Sequence, residues 1–102
     1  MTETSEVTGP LLKAIRNAGI WVARMQSGKV KVRGGWMYLC PNGTADIFVR
    51  PSGRVVWLET KLGKYGQSAE QVEFQKMVEG FGDEYYVVRS VAEGLDAVTG
   101  RK

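Results

Sequence analysis

The segment GTADIFVRPSGRVVWLETK, residues 43–61, decides the fold. Ala45–Arg50 and Arg54–Lys61 read as strands on either side of Pro51, Ser52 and Gly53, residues suited to a tight turn, so the centre of the chain is a hairpin. Its second strand is apolar on both faces through Val55, Val56, Trp57 and Leu58, which predicts a central strand in a sheet covered on both sides. The charged end of that strand then needs an explanation. At the two-residue period of a strand, Glu59 and Lys61 point to one face. Asp46, on the first strand, joins them if it lies opposite Glu59. That register sets Pro51 opposite Arg54 or Arg50 opposite Val55, with a loop of two or four residues. A three-residue loop sends Glu59 to the other face unless a bulge restores the phase.

Outward from the hairpin, helix and strand signals alternate. Leu11, Leu12 and Ile15 form an apolar stripe with Pro10 in the first turn and Gly19 as a C-terminal cap, so a first helix covers about residues 9–18. Ile20–Met25 reads as a strand and Ser27 with Gly28 as a turn. Lys29, Lys31 and Arg33 alternate with Val30 and Val32, placing the cations on one face of an extended segment. Gly34 and Gly35 break it, and Trp36–Cys40 is a further aromatic stretch. After a GKYGQ loop, Ser68 opens a helix whose apolar face is Phe74, Met77, Val78 and Phe81, ended by Gly80 or Gly82. Tyr85–Arg89 is a strand, and Ser90 with Glu93 makes a capping box for a last helix to about Val98. The pattern is α/β: a single domain over residues 1–102 with a central mixed β-sheet flanked by helices.

Composition narrows the chemistry. The 102 residues are 43% apolar and 25% charged, ordinary for a globular protein. No apolar run approaches the roughly 20 residues of a membrane span, and the start MTETSEV has no signal-peptide pattern, so a cytoplasmic protein without membrane contact is expected. The one cysteine, Cys40, forms no internal disulfide and reads as a small packed hydrophobe. With no histidine in the chain, histidine-based hydrolases and most zinc sites are excluded. Base chemistry falls to carboxylate, lysine, tyrosine or a metal-bound water. Between Glu6 and Asp46 there is no acidic residue, while Lys13, Arg16, Arg24, Lys29, Lys31 and Arg33 lie there. The resulting positive field suits a polyanion such as DNA or RNA, or is simply a solvated basic face.

Two carboxylates at hydrogen-bonding range suit a hard divalent cation such as magnesium, which keeps several waters and bridges to phosphate oxygen. Lys61 beside them keeps the pair ionised and is positioned to orient a water or a phosphate. A Glu-x-Lys triplet at a strand end also occurs as a plain solvated salt bridge, so the triplet alone decides nothing.

Taken together, GTADIF (43–48), VVWLETK (55–61), SAEQVEFQ (68–75) and YYVVRS (85–90) resemble a stand-alone VRR-NUC domain of the PD-(D/E)xK nuclease superfamily. The first helix, Gly19 and the Gln26–Gly28 turn precede them in matching order. The resemblance covers nearly the whole chain and implies a restriction-endonuclease-like core and Mg2+- or Mn2+-dependent endonucleolytic cleavage of DNA. In small stand-alone members it implies a homodimer acting on branched DNA such as Holliday junctions. By position it makes Asp46 and Glu59 metal ligands, the Thr60 carbonyl a further ligand and Lys61 the catalytic lysine. It also maps the acid of the family's first helix onto Glu6, although Gly9 and Pro10 interrupt a continuous helix there. Gln71 matches the family glutamine, but Ser68 with Gln71 also reads as a capping box.

Lys29, Lys31 and Arg33 are expected to contact phosphates, and Lys64 and Tyr65, in the loop after the active-site strand, to touch DNA. Trp36 and Tyr38 are expected to be buried, ahead of stacking on bases or packing in a dimer interface. Two other functions stay open: a catalytically silent DNA-binding or assembly module with the same fold, and a nuclease acting on linear duplex or RNA.

Overall fold

The computed structural model describes residues 4–100. A π-helical turn, Thr4–Thr8, leads into α1, Gly9–Asn17. Then come β1 (Trp21–Arg24), β2 (Lys29–Val32), β3 (Gly35–Tyr38), β4 (Ile47–Arg50), β5 (Val56–Thr60), α2 (Ala69–Gly80), β6 (Glu84–Val88) and α3 (Val91–Thr99). Strands β1, β4, β5 and β6 form a four-stranded sheet in that spatial order. β1 and β5 both run antiparallel to β4, and β6 runs parallel to β5 with α2 as the crossover. The sheet is therefore mixed, with β5 inside it.

Ser52 and Gly53 form the two-residue turn, closed by the Arg54 N–H donating to the Pro51 carbonyl at 3.0 Å. It pairs Ile47 with Leu58, Phe48 with Trp57 and Val49 with Val56. One step further along that register, Asp46 lies level with Glu59, as the hairpin argument required.

Strand alternation divides the core into two. On one face Val22, Ile47, Val49, Val56, Leu58 and Val88 meet Leu11, Leu12 and Ile15 of α1 and Val98 of α3. The close approach of the two helices needs Gly94, where a Cβ would lie 2.4 Å from the side chain of Leu11. On the other face Ala45, Tyr85 and Val78 are buried, with Trp57, Phe74 and Val87 packed against them. Arg54 closes the far end of the sheet. Its guanidinium donates to both oxygens of Glu84 at 2.8 Å and to the last carbonyls of α3, Ala97 and Val98. The Glu84 hydrogen bonds keep that guanidinium's pKa above its ordinary value.

Two expectations about burial fail. On α2 Val78 is buried and Phe74 half-buried, but Met77 is 50% and Phe81 73% exposed. Phe74 is the α2 ring that packs between Trp57 and Tyr85 of the sheet, and Met77 instead lines an open apolar cleft of about 660 Å³. Likewise Trp36 and Tyr38 are 52% and 75% exposed. Their strands β2 and β3 pair with each other as a separate ribbon, and every residue of both is exposed. Among the described residues no helix is long and apolar enough to cross a membrane.

Candidate active site at the end of the central strands

β5 carries its apolar residues through the middle of the sheet and ends in Glu59 and Thr60, both buried. Glu59 is only 2% exposed, and a carboxylate there is tolerated only with hydrogen-bonding or charged neighbours. Its Oε2 accepts from the Gln71 side-chain amide at 3.0 Å and lies 3.8 Å from the Lys61 ammonium. Gln71 does both things that its sequence context allowed. Its amide oxygen accepts from the Ser68 N–H at 2.8 Å while the Ser68 hydroxyl accepts from the Gln71 N–H, completing the capping box of α2. The amide nitrogen is thereby aimed at Glu59, so one cap fixes both the helix start and the carboxylate.

Asp46 sits at a bend just before β4, with its carbonyl accepting from the Met25 N–H at 2.7 Å. Its side chain turns across to β5, where Oδ2 accepts from the Thr60 N–H at 2.9 Å and the Thr60 hydroxyl at 2.8 Å. The Thr60 hydroxyl also lies 2.6 Å from the hydroxyl of buried Thr8. A hydroxyl has one proton, and that of Thr60 goes to Asp46, so Thr8 is the donor to Thr60. The carboxylate is thus oriented by a chain of bonds starting in the turn before α1, and Oδ1 is the oxygen left to meet a ligand. Gly43 permits the approach of this loop to α2, since a Cβ there would lie 2.4 Å from the Glu70 carbonyl oxygen.

Tyr85, next to this centre on β6, donates no bond to either acid; its hydroxyl accepts from Gln67 at 3.1 Å. Burial pushes its pKa up to about 12, with the negative charges of Glu59 and Asp46 adding to the rise and the Gln67 bond opposing it. The phenol therefore stays neutral beside the two carboxylates.

The structure brings together Asp46, Glu59, Thr60, Lys61 and Gln71. Glu6 is exposed on the π-helical turn, and no group of three His, Cys, Asp or Glu side chains suited to a metal occurs among the described residues. Lys64 and Tyr65 are exposed in the loop after β5, which Arg89 secures by donating to the carbonyls of Gly63 and Tyr65 at 2.9 and 2.7 Å. Lys29, Lys31 and Arg33 are exposed on and beyond β2. Sequence reading missed Thr8, the Thr60 hydroxyl, Tyr85 and Arg89. Only Thr60 left a signal, a polar side chain at the end of the alternation that otherwise buries Val56 and Leu58.

The donor set suits a hard cation. Two carboxylates offer the oxygen ligands that Mg2+ or Mn2+ take, leaving positions for the waters that such ions keep. They do not make a closed zinc-type site.

A solved structure of a VRR-NUC domain matches this chain with a TM-score of 0.69 at 16% identity, covering 100% of both chains. No family model matches the sequence, and no curated protein does. The chain has the VRR-NUC fold.

Proposed function

We propose, taking the VRR-NUC fold as the premise, that this chain is a divalent-metal-dependent endonuclease that cuts branched DNA as a homodimer. The observation that carries the reading is the pairing of two pre-oriented carboxylates, Asp46 and Glu59, with Lys61 at the charged end of an otherwise apolar central hairpin. Asp46, Glu59 and the Thr60 carbonyl would hold Mg2+ or Mn2+. Such an ion, when bound, lowers the pKa of a water and offsets charge on the attacked phosphate. The residues of the chain do the rest. Thr60 and Gln71 hold the two carboxylates in place, so no reorganisation is needed when substrate arrives. Lys61 is placed to steady the phosphate or its attacking water with its ammonium. Glu6, exposed on the turn before α1, is not one of these residues.

Paired cuts in a branched substrate need two sites related by a twofold axis, and a domain of this size offers one. The exposed Met77 on α2 and Phe81 just after it provide apolar surface for such an association. A second reading, a module that binds DNA without cutting it, is favoured by the lack, among the described residues, of a third acid grouped with Asp46 and Glu59.

A cleavage panel on four-way, flap, linear duplex and RNA substrates, with Mg2+, Mn2+ or excess EDTA, tests the proposal beside Asp46→Ala. Nicking of the branched substrate that needs metal and is lost in Asp46→Ala supports it. Activity surviving EDTA would sink the metal mechanism, and binding without cutting under either metal would favour the silent module.

A further inference from the structure

The β2–β3 ribbon has two unlike faces. Its register pairs Lys29 with Tyr38, Val30 with Met37 and Lys31 with Trp36. Facing residues share a side, so Lys29, Lys31, Trp36 and Tyr38 make one surface and Val30, Val32 and Met37 the other. Both surfaces are exposed. On the first, the Lys29 ammonium lies 4.6 Å from the centroid of the Trp36 ring and 6.0 Å from that of Tyr38.

We propose that this basic–aromatic face is a docking strip for single-stranded DNA, with Trp36 and Tyr38 stacking on unpaired bases and Lys29 and Lys31 pairing with the phosphates between them. The inference deepens the nuclease reading and rests on it for the class of polymer. Charge complementarity supports the occupant, because the chain from Val7 to Ala45 carries six cations and no acid. The kind of side chain selects a single strand. A ribbon that reads a duplex groove needs hydrogen-bonding side chains aimed at base edges, whereas this face offers two flat rings and two point charges.

Magnitudes agree. The lysine over the rings is worth about two- to fivefold at an exposed site. A base stacked on one ring is worth about 5- to 150-fold. A base therefore competes successfully for the ring while the ammonium moves to a phosphate.

The strip also leads somewhere. At its root, the Gly28 N–H donates to the Cys40 carbonyl and the Cys40 N–H to that of Gln26, which closes the two legs on each other, and the Met25 N–H, donating to the Asp46 carbonyl, anchors the ribbon beside β4. The cleft beside that anchor, about 270 Å³, is lined by Arg24, Gln26, Lys29 and Asp46 together with Val30 and Leu39 of the ribbon's other face. It joins the lysine above the rings to one of the two candidate metal ligands. Lys29 is therefore the contact between the ring face and this cleft, because Val30 and Leu39 belong to the other face of the ribbon and neither ring lines it.

Fluorescence anisotropy in EDTA, where no cutting occurs, tests the proposal with a labelled 15-nucleotide oligothymidine, the matching oligouridine and a blunt duplex of equal length. Wild-type protein is expected to bind the oligothymidine most tightly. The double variant Trp36→Ala/Tyr38→Ala should lose about 20-fold or more on the oligothymidine and less than threefold on the duplex, with an unchanged melting temperature. Lys31→Ala should lower the salt slope of single-strand binding by about 0.7. Unchanged oligothymidine binding by the double variant overturns the proposal, as do equal losses on single strand and duplex, or tighter wild-type binding to the oligouridine. A double variant that only turns a dimer into a monomer makes the ribbon a self-association surface and overturns it too. None of these readouts depends on cleavage, so failure of the nuclease reading and failure of the ribbon reading are separately visible.

Discussion

The carboxylate end of the central hairpin and the β2–β3 ribbon are both built from short antiparallel strands carrying charged and aromatic side chains, yet they treat those side chains in opposite ways. At the hairpin end Glu59 is buried, and each acid is tied to a named donor, Gln71 for Glu59 and Thr60 for Asp46. On the ribbon every residue is exposed and the lysine contacts are to ring faces. The first arrangement holds few atoms very accurately, at a desolvation cost that only good hydrogen bonds offset. The second keeps its surface wet and adaptable, and each side chain adds little to stability. A reacting centre needs the former and a polymer contact the latter.

The largest effect that would sharpen this contrast is on the rate. Glu59→Gln keeps the volume and one acceptor but removes the charge, so metal-dependent cleavage should fall by about 10³-fold or more. Its oligothymidine affinity in EDTA should stay within about twofold of wild type. Loss of binding along with activity would mean that the two regions are not separable.

Stability offers the next test, with one apolar truncation in each region. Leu58→Ala empties a fully buried site and should lower unfolding free energy by about 2–5 kcal/mol in urea titration. Met37→Ala, on a half-exposed ribbon position, should change it by less than about 0.5 kcal/mol. A comparable loss at Met37 would show that the ribbon's apolar face is covered in solution.

The smallest effect is a pH dependence confined to the buried centre. The Tyr85 proton is held in the folded state to about pH 12, while an unfolded tyrosine releases it near pH 10. Neutral Tyr85 therefore contributes stability that is complete below pH 10 and declines as the pH rises toward 12. The stability difference between wild type and Tyr85→Phe should shift in favour of the variant over that window. A difference that stays flat with pH would mean that burial and the charges of Glu59 and Asp46 do not bear on this phenol.

Much of the site could be read from residue spacing because its logic is local. The two-residue period put Glu59 and Lys61 on one face, and the two-residue turn that the structure shows, one of the loop lengths open in the sequence, sets Asp46 level with Glu59. Gln71 was ambiguous in sequence between a cap and a site residue, and its side chain has two ends that serve both. What escaped reading depends on distant parts of the chain. Thr8 reaches Thr60 across 52 residues, and Arg89 secures a loop 24 to 26 residues away. A threonine before a helix and an arginine after a strand carry no mark of such partners.

Local chemistry in the chain was enough for the kind and order of the main elements and for the central hairpin, because turn sterics and side-chain alternation act over a few residues, but it left the register open between loops of two, three and four residues until the structure fixed it. The three-dimensional arrangement decided which apolar and aromatic surfaces are covered. Trp57 is packed because α2 lies over it, whereas Trp36 and Tyr38, no less aromatic, stand in water because no layer faces their ribbon. Burial needs a partner surface opposite, and whether one arrives depends on how the whole chain packs.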